Sequence, residues 1–157
     1  MKFLISKELS QTTLMRKLMI AVCVALFFYL GLDVLLHAYV FGFELSDISS
    51  TLYGNAEEFI EPILLDTLLL QVHIDLFMSL LSMMIIASIY IRLYSEDGFT
   101  KIVVHALFIL GLIAPLLLIV SYFTAMACVY AWLGSFMLGH LLGMGMSLRI
   151  VGKLLFK

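Results

Sequence analysis

Four long apolar stretches, separated by short polar breaks, dominate the chain. A hydrocarbon core about 30 Å thick needs roughly 20 apolar residues of helix to cross it. The first stretch runs from about Leu18 to Phe41 and the second from about Ile63 to Leu93. The third runs from about Ile102 to Tyr122 and the fourth from about Ala125 to Leu148. The pattern therefore predicts an all-α membrane protein, a four-transmembrane-helix antiparallel bundle forming one integral membrane domain over residues 1–157. The second stretch is long enough to tilt or protrude.

The polar breaks are of two kinds. Between spans one and two lies the only long one, Gly42 to Glu61. Leu45, Ile48 and Leu52 have helical spacing there, which predicts a short interfacial helix in this outer loop. Tyr53-Gly54-Asn55 is a break, and Asn55 with Glu58 three residues on reads as a helix cap and its partner. Glu61-Pro62 reads as a restart, since proline suits a first helical position. The turn from Tyr94 to Lys101 and the connection at Tyr122-Phe123-Thr124 are short, so the helices they join are antiparallel neighbours. Pro115 interrupts the backbone bonding of span three and predicts a kink.

Charge fixes the orientation. All nine Lys and Arg residues fall on one side of this layout, while Glu44, Asp47, Glu57, Glu58 and Glu61 fall on the other. Cytoplasmic loops retain Lys and Arg, so both termini are expected in the cytoplasm, with the chain in a cell inner membrane. Span one is too apolar for too long to be a cleaved signal, and no A-x-A site follows it. Residues 1–17 set Phe3, Leu4, Ile5, Leu9 and Leu14 among basic residues, which predicts a short amphipathic helix on the membrane surface.

Composition agrees with a lipid solvent. Apolar residues make up 64% and charged residues 13% of the chain. A net charge of −2 argues against nucleic acid as a partner. Cys23 and Cys128 fall near opposite membrane faces, too far apart to bond. No hydrolase, transferase or nucleotide-binding motif is present. Helices in lipid associate through small residues and polar contacts. Span four carries a small-residue seam, Ala131, Ser135, Gly139, Gly143 and Ser147, suited to close packing against another span or, alternatively, a second copy. Ten methionines read as packing filler rather than as ligands for a soft metal.

Ionisable residues within the membrane carry the chemistry. Each span holds one histidine: His37, His73, His105 and His140. Counting about 1.5 Å per residue from the basic ends puts His37 and His73 at one height and His105 and His140 lower. Tyr29, Asp33 and His37, above Ala21 and Ala25, form the expected inward face of span one. Span two places Gln71, Asp75, Ser79 and Ser82 on one stripe, with His73 and Asp66 on another.

Three functions follow. One is an accessory or assembly subunit of a larger membrane complex, with a membrane partner or a homodimer. Another is a haem b electron carrier, with cofactor ligands paired as His37/His73 and His105/His140. The third is a divalent-cation or proton path through Asp33, His37, His73 and Asp75. His73 and Asp75 are two residues apart and point in different directions on a regular helix, which argues against a cage containing both.

Overall fold

The computed structural model describes residues 13–156, so the surface helix expected near the N-terminus lies largely outside the described residues. Five helices follow one another: α1 (Thr13–Phe41), α2 (Leu45–Tyr53), α3 (Leu65–Leu93), α4 (Phe99–Phe123) and α5 (Met126–Leu155). No strand occurs among the described residues; an isolated antiparallel bridge joins Asn55 to Ile60. All but α2 are long and apolar enough to cross a membrane.

The helices overrun the apolar windows, chiefly at the basic end. Residues 13–17 belong to α1, and α5 continues past Leu148 to Leu155. Polar contacts sustain that extension. The Arg149 guanidinium lies over the rings of Tyr94 (5.1 Å) and Tyr90 (5.8 Å), and the Lys153 ammonium lies 4.0 Å from the Tyr94 ring. Lys153 also donates to the Leu93 carbonyl, and the Tyr94 hydroxyl donates to the Arg149 carbonyl. Long cationic side chains thus fold back along apolar and aromatic surface.

At the acidic end, α2 is anchored by its buried Ile48 and Leu52. Glu44 and Asp47 cap it reciprocally. The chain enters and leaves α2 through Gly42 (φ 104°) and Gly54 (φ 79°), a backbone region that L side chains seldom adopt. Asn55 caps no helix. Its side-chain oxygen accepts from the Glu57 N–H within a turn, and α3 starts only at Leu65, beyond Pro62. Tyr53 donates to the Ser121 carbonyl (2.7 Å), and Tyr122 donates to the Ile63 carbonyl (3.3 Å), fastening the loop to the bundle.

Long apolar side chains such as Phe28, Leu32, Leu138 and Leu141 point outward, as a lipid environment permits. The interior holds two apolar clusters, one around Leu30, Met83, Leu107 and Ile150, the other around Phe41, Leu68, Leu118 and Trp132. Ser135, Gly139, Gly143 and Ser147 face the interior, whereas Ala131 is exposed. A Cβ on Gly139 would stand 3.5 Å from Leu110, and one on Gly143 would stand 2.9 Å from Leu30. Gly143→Ala should therefore displace the fully buried Leu30 and cost about 1–3 kcal/mol, read as a lower unfolding midpoint in detergent. Gly145→Ala, with open space around it, should leave the midpoint unchanged. Helix α4 runs through Pro115 without a break.

Candidate functional site

Helix α1 buries Cys23, Leu30, Asp33, His37 and Phe41, while Ala21 and Ala25 are exposed. The inward face is thus rotated at its basic end from the face expected. Helix α3 is not regular. Asp75–Ser79 forms one π-helical turn between the α-helical halves Leu65–Ile74 and Leu80–Leu93. Such single-turn widenings recur at functional sites in helices. Both ends of this turn, Asp75 and Ser79, are buried.

With α5, these elements bring two carboxylates and two imidazoles together. His37 Nε2 lies 3.0 Å from Asp75 Oδ2, and His140 Nε2 lies 2.8 Å from Asp33 Oδ2. Each ring is held from behind in the same way. His37 Nδ1 lies 2.9 Å from the carbonyl of Asp33, and His140 Nδ1 lies 2.9 Å from the carbonyl of Phe136, each one helical turn back. Each carboxylate also accepts from a neutral group: Gln71 donates to Asp75 (2.9 Å) and Ser79 donates more loosely to Asp33 (3.4 Å). His37 Nδ1 is 3.7 Å from Asp33 Oδ1, which links the two pairs.

The hydrogen bonds determine where protons sit. A backbone carbonyl only accepts, so both Nδ1 atoms carry hydrogen. A ring nitrogen 2.8–3.0 Å from a carboxylate oxygen needs a proton between them, so each pair holds one more. With that proton counted, each imidazole–carboxylate pair is neutral overall, which is how ionisable groups persist away from water.

Aromatic rings pack against the imidazoles. The Phe136 ring packs against both imidazoles, 4.3 Å from His37 and 4.1 Å from His140. Phe41 and Trp132 pack against each other at 5.2 Å, and both lie near His37. An apolar groove of about 360 Å3 borders His37 between α1 and α5, on the side of Phe41 and Trp132.

Asp33, His37 and Asp75 each offer a ligand atom, and these three atoms lie within 4.8 Å of one another. Ligand atoms around an ion at about 2.0–2.2 Å stand no more than roughly 4.4 Å apart, so a small contraction would let all three reach one ion and leave a further position open. Both histidines already have the arrangement typical of metal ligands, with Nδ1–H bound to a carbonyl and Nε2 turned inward.

The chain matches no known family, no curated protein sequence and no solved structure.

Of the residues singled out in the sequence, Asp33, His37 and Asp75 converge, and His140 joins them through Asp33. His73 and His105 do not. Both are exposed on the outside of the bundle, and His105 Nδ1 bonds to the Lys101 carbonyl of its own helix. Neither the His37/His73 nor the His105/His140 arrangement forms. Direction explains the first: His73 lies on the stripe of α3 opposite to Asp75. Height explains the second. Arg149 lies inside α5 rather than at its end, so counting residues from it sets His140 too low. The aromatic packing against the imidazoles carried no separate signal in the sequence, although Trp132, Phe136 and His140 recur at i+4 on one face of α5.

Proposed function

We propose that this integral membrane protein binds a divalent transition-metal cation within its bundle, at Asp33, His37 and Asp75. The observation that carries this reading is the convergence of three buried ligand atoms from two helices within 4.8 Å. A mixed set of imidazole and carboxylate suits zinc, cobalt, nickel or manganese better than calcium, which prefers an all-oxygen shell. By the positive-inside rule the basic ends lie in the cytoplasm, and Glu44, Asp47, Glu57, Glu58 and Glu61 then face outside, where they attract cations. His140 acts as a positioning residue that holds Asp33, as outer-shell partners of ligands commonly do.

The test is titration of the purified protein with Co2+, whose visible absorption reports nitrogen and oxygen ligands. One ion per chain is expected. His37→Gln and Asp75→Asn should each weaken binding at least about tenfold, and His73→Ala should not change it. A His37→Gln protein that binds Co2+ as tightly as the native chain removes this reading.

A second reading, an accessory or assembly subunit of a larger complex, has one observation in its favour. Gly134, Gly145 and Gly152 of α5 have open space beside them, an outward surface smooth enough for another helix. Crosslinking in native membranes that returns only lipid and this chain in monomeric form counts against it.

A further inference from the structure

Two arginines at the basic end of the bundle, Arg149 and Arg92, have opposite surroundings. Arg149 is stacked over Tyr90 and Tyr94. Arg92, in the last turn of α3, has no hydrogen bond or ion pair among the described residues, and it is exposed. It borders a groove of about 340 Å3 between α1 and the basic half of α3, lined by Met15, Met19, Met84, Ile85, Ile89 and Arg92.

The groove is apolar along its length and cationic at one end. The polar group on its wall, the Ser88 hydroxyl, is already satisfied, donating to the Met84 carbonyl at 2.7 Å. Met84 and Arg92 are eight residues apart, about 12 Å along the helix. The groove therefore runs from the basic rim toward the middle of the membrane. Methionine side chains adapt to irregular, mobile apolar partners. An uncompensated guanidinium at the rim pairs with phosphate through two parallel hydrogen bonds.

We infer that this groove binds one anionic phospholipid, with its phosphate on Arg92 and an acyl chain against Met84 and Met19. Charge complementarity selects the occupant. A zwitterionic lipid would fill the apolar trough equally well but would gain less from the cationic end. By the positive-inside rule the rim lies in the cytoplasmic leaflet, where anionic lipids exert their surface potential. The site is separate from the Asp33, His37 and Asp75 cluster and does not depend on it.

Native mass spectrometry of the full chain, offered phosphatidylglycerol and phosphatidylcholine with identical acyl chains, tests the inference. Phosphatidylglycerol should be retained about fivefold over phosphatidylcholine, the effect of one cationic side chain near a membrane surface. Arg92→Gln should abolish that preference, and Lys101→Gln, outside the groove, should keep it. Ser88→Trp, which fills the trough and leaves the charge, should lower retention of both lipids. Equal retention of the two lipids by the native chain, or an undiminished preference in Arg92→Gln, overturns the proposal. So does a photo-crosslinker at position 84 that captures residues 1–12 of the chain in place of lipid.

Discussion

Cation affinity should rise with pH by up to about a hundredfold per unit, because two protons compete with one ion. Each of the two histidines meets a carboxylate, His37 with Asp75 and His140 with Asp33, and the short nitrogen–oxygen distances call for one proton between the members of each pair. A metal bound by His37 takes the Nε2 lone pair, so the first proton must leave. The second follows from charge. Two imidazolium–carboxylate pairs sum to zero, and adding a dication while releasing one proton leaves a net charge of +1. The interior of a membrane penalises any such excess heavily. Releasing the proton shared by His140 and Asp33 restores neutrality. The sign follows directly: protons and cation compete for the same ligand atoms, so binding weakens as proton concentration rises and strengthens as it falls. Isothermal titration in buffers of different ionisation enthalpy counts the protons released, and affinities at several pH values give the slope. A slope near zero would show that the ion binds elsewhere.

Removing His140 alone should destabilise the fold by about 3 kcal/mol or more, among the largest effects of any single substitution in this chain. Its ring is buried, and it is the closest donor to Asp33. His140→Ala leaves that carboxylate with only the longer bond from Ser79 and a cavity beside Phe136. Unfolding in mixed micelles should show a large drop in midpoint. Replacing both partners, Asp33→Leu with His140→Leu, should recover most of the loss, because an apolar pair of similar size needs no partner. His73→Ala and His105→Ala should stay within about 0.5 kcal/mol of the native chain, as expected for exposed positions without tertiary partners. If His140→Ala matched these two, Asp33 would have to be satisfied by another group, and the paired arrangement would be wrong.

The helices were legible because lipid imposes one strict rule. Backbone groups in hydrocarbon must bond within their own segment, so a long apolar run becomes a helix regardless of its neighbours. That is why α1, α3, α4 and α5 fall where the apolar stretches do. Helix ends were less legible. Arg149 and Lys153 read as an exit from the membrane, yet they remain helical because Tyr90, Tyr94 and the Leu93 carbonyl receive them. The loop after α2 turned on a local backbone bridge. Asn55 bonds across to Ile60 and closes a turn instead of starting a helix.

By itself the sequence determined the number of helices long and apolar enough to cross a membrane and the segregation of cationic residues to one end, since both depend only on composition along the chain. It also identified Asp33, His37 and Asp75 as costly residues in a hydrocarbon setting. Only the tertiary structure decided their company. Which of four histidines meets which carboxylate depends on the rotation of each helix, on the π-helical turn at Asp75–Ser79 and on the relative heights of α1 and α5. An error of one residue turns a helical side chain by about 100°, so apolar spacing alone could not exclude His73 or bring His140 to Asp33.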